Sequence, residues 1–130
     1  MSQTILLVED DKVLVSMYQT LLQNHGYAVK IGYNGEEGLK IALSDHPDLI
    51  LLDVRMPKMD GITMLEHLRK DLWGEKAKVI ILSNLDPTDQ ILGSIVENHP
   101  TYYLIKSNNP PEQVLEQIKE VLETKQEEKS

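Results

Sequence analysis

A chain of 130 residues has the length of one domain, enough to bury roughly two-thirds of its unfolded surface without covalent staples. It has no cysteine, which excludes disulfides and thiolate metal sites, and no apolar run approaches the roughly 20 residues of a membrane span. A net charge of -8, no Phe and one Trp disfavour direct binding to a nucleic acid, whether to its phosphate backbone or by stacking on its bases.

The first apolar run, Thr4–Val8, ends in Glu9-Asp10-Asp11 and predicts a buried strand with acids at its carboxyl end. Leu14, Met17, Tyr18, Leu21 and Leu22 then recur at helical spacing, with Asp11 as N-cap and Gly26 as the stop. Residues 27–31 alternate and carry a charge, as an edge strand does. Asn34 with Glu37 resembles a capping box for a helix turning Leu39, Ala42 and Leu43 inward. Leu49–Leu52 is uninterrupted and apolar, bounded by Pro47 and Pro57, and runs into Asp53. Such a run reads as a strand buried on both faces, and the acid at its end is tolerated if it points into a crevice.

Asp60-Gly61 opens a helix with Ile62, Leu65, Leu68 and Leu72 on one face, broken at Gly74. Residues 77–83 form a further buried strand ending in the hydroxyl of Ser83. Asp86-Pro87 caps a helix carrying Ile91, Leu92, Ile95 and Val96. Residues 101–105 suit the other edge and run into Lys106. The last helix begins near Asn109-Pro110-Pro111 and faces Val114, Leu115, Ile118, Val121 and Leu122 inward; the polar stretch 124–130 frays.

Five strands alternating with helices predict a single α/β domain over 1–130 with an ordered core of about 3–124. The expected architecture is a doubly wound, flavodoxin-like parallel sheet with helices on both faces. Order 2-1-3-4-5 puts the three apolar strands in the middle and the switch point between the two that end in acids.

Glu9, Asp10, Asp53, Ser83 and Lys106 therefore converge on one sheet edge. Each carboxylate pair at about 4 Å costs on the order of 4 kcal/mol near a surface. An all-oxygen set suits a hard cation such as Mg²⁺, to which the Arg55 backbone carbonyl adds a further oxygen. A carboxylate can be the nucleophile toward phosphorus, giving an aspartyl phosphate, while a lysine and a hydroxyl steady the phosphoryl oxygens. Singly, each residue has a plainer reading: Asp53 a turn cap, Lys106 a solvated strand end, Ser83 a turn residue, and Glu9-Asp10-Asp11 a helix-start cluster.

Together, Val8-Glu9-Asp10-Asp11, Asp53 followed by Met56-Pro57 and Asp60-Gly61, Ser83 and Lys106 resemble the receiver domain of two-component response regulators over nearly the whole chain. The resemblance implies that Asp53 accepts a phosphoryl group from a phosphohistidine on a sensor histidine kinase. It implies that Asp10, Asp53 and the Arg55 carbonyl bind Mg²⁺, with Glu9 assisting, that Ser83 is the switch hydroxyl and Lys106 the phosphate-pairing lysine, and that Tyr103 is the switch aromatic. The output would be a changed face formed by the fourth helix, fifth strand and fifth helix, meeting an effector protein or a second copy of the chain. Three residues depart from the family pattern: Asn84 where a small residue is usual, Ser107 where a proline in a cis bond is usual, and the large cation Arg55. The Lys106–Ser107 bond is expected to be trans, since a cis bond before a non-proline residue costs about 3 kcal/mol, with the loop to Asn109 rearranged.

Other readings compete. A Mg²⁺-dependent phosphatase or phosphotransferase would need a second acid after Asp53, where Val54 and Arg55 stand, and a cap insertion that the chain lacks. A degenerate receiver acting only by protein binding would not need Asp53 and Lys106. A flavin domain of like topology would not place acids in the first strand-to-helix turn. His25, His46, His67 and His99 share no metal-ligand spacing and are expected at the surface, and Trp73 is expected to pack at a helix end. The opening residues lack the basic region of a signal peptide, and the expected compartment is the cytoplasm.

Overall fold

The computed structural model describes residues 3–54, 56, 58–83 and 97–123. Its strands are β1 (Thr4–Val8), β2 (Ala28–Gly32), β3 (Leu49–Leu52), β4 (Val79–Ser83) and β5 (Tyr102–Ile105). Its helices are α1 (Lys12–Asn24), α2 (Gly35–Asp45), α3 (Gly61–Arg69) and a C-terminal helix, Pro111–Glu123, with short 3-10 turns at Gly74–Lys76 and Lys106–Asn108. The helix expected after Ser83, with its Asp86-Pro87 cap, lies outside the described residues, as do Asn84 and 124–130.

All neighbouring strands pair in parallel, in the order β2-β1-β3-β4-β5. β1, β3 and β4 sit centrally and are buried on both faces, as uninterrupted apolar runs require. Side chains alternate across the sheet and divide the core in two. Ile5, Leu7, Leu51 and Leu82 pack with α1 and the C-terminal helix through Val15, Tyr18, Leu22, Val114 and Ile118. Leu6, Val8, Ile50, Leu52 and Ile81 pack on the other face with α2 and α3 through Ala42, Met64, Leu65 and Leu68.

The caps follow the sequence closely. Asp11 accepts from the N–H groups of Val13 and Leu14 at 2.9 and 3.3 Å. Asn34 accepts from Glu37 N–H at 2.9 Å, while the Glu37 carboxylate reaches Tyr33 N–H at 2.8 Å, one residue earlier than a reciprocal box would place it. Three apolar residues turn out differently from expectation. Met17 and Leu43 are exposed at the edge of their helix faces, and Val15 fills the core beside Tyr18 instead. Leu72 is 92% exposed because α3 ends at Arg69, so Met64, not Leu72, joins Leu65 and Leu68 on the inner face.

Arg69 explains what happens beyond that helix end. Its guanidinium donates to four backbone carbonyls: Asn98 at 2.9 Å, Gly74 at 2.7 Å, Ala77 at 2.9 Å and His99 at 2.7 Å. One side chain thus ties the end of α3 to the chain entering β4 and to the chain entering β5. Burial pulls the guanidinium below its ordinary pKa, and the planar fork meets several acceptors at once, which an ammonium cannot copy. Arg69→Met is expected to cost on the order of 3 kcal/mol, since it leaves partly buried carbonyls unpaired, and Arg69→Lys to recover less than half. Urea unfolding checks this; a midpoint unchanged in Arg69→Met contradicts it.

Candidate functional site

β1 and β3 pair with Val8 opposite Leu52, so the residues that follow, Glu9 and Asp53, leave the sheet side by side. Backbone bonds fix the exit: Asp53 N–H donates to the Val8 carbonyl and Glu9 N–H to the Gly32 carbonyl, both at 3.0 Å. Glu9 is 5% exposed and Asp53 8%. Exposed Asp10 follows, and carboxylate oxygens of Glu9, Asp10 and Asp53 lie within 4.8 Å of one another. From the end of β5, Lys106 Nζ reaches across to Glu9 Oε1 at 3.0 Å and Asp53 Oδ1 at 3.5 Å. Ser83, 1% exposed, ends β4 between them.

The electrostatics follow from this crowding. Burial first, then the charge of Glu9, push the Asp53 carboxyl up to about 6, and Lys106 only partly offsets them. Burial pulls the Lys106 ammonium down, but Glu9 and Asp53 outweigh it and leave the group above the ordinary lysine value. Tyr18 on α1 feels the same field: burial, then Glu9 and Glu112, raise its phenol to about 12. An all-oxygen cluster with two of its three carboxylates buried, holding excess negative charge, is what a hard divalent cation neutralises.

The sequence-derived set divides as follows. Glu9, Asp10, Asp53 and Lys106 come together. Ser83 stands on the adjoining strand end, and Arg55 lies outside the described residues. Tyr103 on β5 is half-buried and packs against the core face that holds Ile81. No peptide bond among the described residues is cis; Lys106–Ser107 runs trans into a 3-10 turn, and Asn109 Nδ2 donates to the Ile105 carbonyl at 2.9 Å. All four histidines are exposed, and His46 stacks on Trp73 with centroids 4.3 Å apart. Two relations were not legible in the sequence. Glu9 is the nearer partner of Lys106, and the Glu9 carboxylate accepts from Asp11 N–H at 3.2 Å, which locks the acidic turn.

The model of the response regulator receiver domain matches residues 5–122. The chain belongs to the response regulator receiver family. This receiver is 38% identical over 109 residues to the probable transcriptional regulator ycf27 of Cyanidium caldarium, covering 83% of this chain and 42% of that protein. It is 44% identical over 70 residues to the alkaline phosphatase synthesis transcriptional regulatory protein PhoP of Bacillus subtilis, covering 54% and 29%. The receiver thus spans less than half the length of these curated relatives. Among solved structures it is similar to a CheY-like response regulator receiver domain protein from Methanospirillum hungatei JF-1, with TM-score 0.86, 27% identity and 94% of each chain covered. It is also similar to the BeF3-activated N-terminal receiver domain of Klebsiella pneumoniae RstA, with TM-score 0.82, 26% identity, and 94% of this chain and 100% of that one covered.

The receiver's acidic cluster makes a pH prediction. Because the folded Asp53 carboxyl titrates near 6 instead of 3.8, the folded state binds its proton more tightly than the unfolded chain does. In metal-free buffer this contribution to stability is present below about pH 4 and is lost as pH rises through about 6. Asp53→Asn should therefore stabilise the metal-free protein by about 3 kcal/mol near pH 8 and by almost nothing near pH 3.5. Chemical unfolding at both pH values checks this, and a gain that does not grow with pH refutes it.

Proposed function

We propose that this receiver is a phosphorylation-activated signalling switch, a single unit over the chain, that accepts a phosphoryl group on Asp53 from a sensor histidine kinase. The observation that supports the reading best is Lys106 Nζ between Glu9 and Asp53, at 3.0 and 3.5 Å, within one acidic cluster. An oxygen of Asp53 forms the new O–P bond as the donor's P–N bond breaks, and the electron pair leaves with the imidazole. Lys106 turns from the carboxylates to a phosphoryl oxygen, and the Ser83 hydroxyl donates to another. Asp10, Asp53, Glu9 and the Arg55 carbonyl would hold Mg²⁺. When bound, the ion supplies neutralising charge for the transferring phosphoryl oxygens.

The chain acts as a regulatory phosphoacceptor, not an enzyme that turns over a substrate, because Val54 and Arg55, and not a second acid, follow Asp53. As Ser83 is drawn toward the phosphoryl group, Tyr103 follows it inward. The surface around β5 and the C-terminal helix then changes shape for an effector protein or a second copy of the chain. With net charge -8 the partner is protein and not nucleic acid. No described helix is long and apolar enough to cross a membrane, and the proposed compartment is the cytoplasm.

Incubation with acetyl phosphate and Mg²⁺ should give one phosphoryl adduct by intact mass, absent in Asp53→Asn. Full labelling of that variant would move the acceptor elsewhere, and steady release of phosphate from many substrates would favour an enzyme.

Mg²⁺ should also raise the melting temperature. Mass action on the folded state gives about 2.7 kcal/mol at one hundred times Kd, and Asp10→Ala should remove most of it. A native melting curve indifferent to millimolar Mg²⁺ contradicts the metal site.

A further inference from the structure

The acidic cluster, Lys106 and Ser83 leave one feature unexplained: how residues 58–61, the turn before α3, are anchored beside Asp53. Gly61 closes one end. Its N–H donates to the Val54 carbonyl at 2.8 Å, and a Cβ there would lie 2.1 Å from the Asp53 carbonyl oxygen. The other anchor comes from a different element. Gly35 N–H, at the start of α2, donates to the Met59 carbonyl at 2.9 Å. A Cβ on Gly35 would lie 2.2 Å from that oxygen and 2.8 Å from its carbon.

Both obstacles at Gly35 are backbone atoms, so no rotamer relieves them. One partner would have to retreat by roughly 1 Å to reach ordinary van der Waals separation. The α2 side is fixed: Asn34 is buried and caps the helix through Glu37 N–H, and its carbonyl accepts from Gly38 N–H at 2.9 Å. The turn at 58–61 is the side that gives. Next to Met59, Lys58 already holds a left-handed φ of 68°, a conformation that costs energy for a residue with a Cβ. The stretch is therefore held by its anchors and not by its own preference.

We propose that Gly35 is a positioning residue for the metal and phosphoryl site: it holds Met59 against α2 and so, through Gly61 and its bond to the Val54 carbonyl, helps to place Asp53. This rests on the Mg²⁺ reading given above. The test is calorimetric titration of MgCl₂ into the native chain, Gly35→Ala and Gly26→Ala. Gly26 lies beyond the amino end of β2, with φ 90° and open space around its Cβ position, so alanine there strains the backbone and lowers stability away from the site. The Mg²⁺ Kd should rise roughly tenfold or more in Gly35→Ala, as for loss of a partner that orients metal ligands, and stay at the native value in Gly26→Ala. Equal Kd in Gly35→Ala and the native chain overturns the proposal, and so does an equal rise in Gly26→Ala. A native chain that binds no Mg²⁺ overturns the metal reading, and this inference with it. If Gly35→Ala does not fold, amide exchange on the native chain decides. Saturating Mg²⁺ should slow exchange at Gly35 N–H, by up to about 100-fold at one hundred times Kd. It should slow Gly35 N–H more than Gly74 N–H, which is bound to Asp71 Oδ2 at 2.9 Å and reports only the stabilisation of the whole fold. A Gly35 amide indifferent to Mg²⁺ refutes the clamp.

Discussion

The site depends on the parallel pairing of β1 with β3. That register sets Val8 opposite Leu52 and so delivers two acids, Glu9 and Asp53, to the same point at the sheet edge. The pairing is driven by apolar burial on both faces, which outweighs the repulsion it creates. The repulsion is local and answerable by a cation. Among the described residues that cation is Lys106, which reaches over from β5 past the end of β4. The fold supplies the force, and the acids store part of it as an unmet demand for positive charge.

That demand explains why the three kinds of group belong together. A lysine by itself at a strand end is solvated. Beside two buried carboxylates it is held above its ordinary pKa despite its own burial. The two carboxylates hold its proton against the pull of burial, so lysine and acids each keep the other in the charged form.

Much of this was readable before any coordinates. Strand order followed from which runs were uninterrupted and which alternated. Asp11, Asn34 and Asp60 cap helices, as the polar residues before their apolar stripes indicated. The misreadings share a cause. Met17, Leu43 and Leu72 have the right chemistry and nearly the right spacing, but a helix face is only about 100° wide, and α3 stops at Arg69, short of Leu72. Likewise, Glu9 as the near partner of Lys106, and Gly35 against Met59, are contacts between residues 97 and 24 positions apart. Periodicity reports which side of an element is buried. It is silent on which atom of a remote element arrives there.

The stack of His46 on Trp73 lies at the amino-terminal pole of the sheet, where the chain enters β3 and β4. Trp73 is the chain's single tryptophan, and β3 alone, at roughly 3.3 Å per residue, sets some 13 Å of strand between it and the acidic edge. Tryptophan fluorescence, excited selectively over the five tyrosines, is therefore a remote observer in this molecule. It is deaf to quenching at the acids themselves, and any change of emission that accompanies an event there is a signal that has crossed the whole thickness of the core.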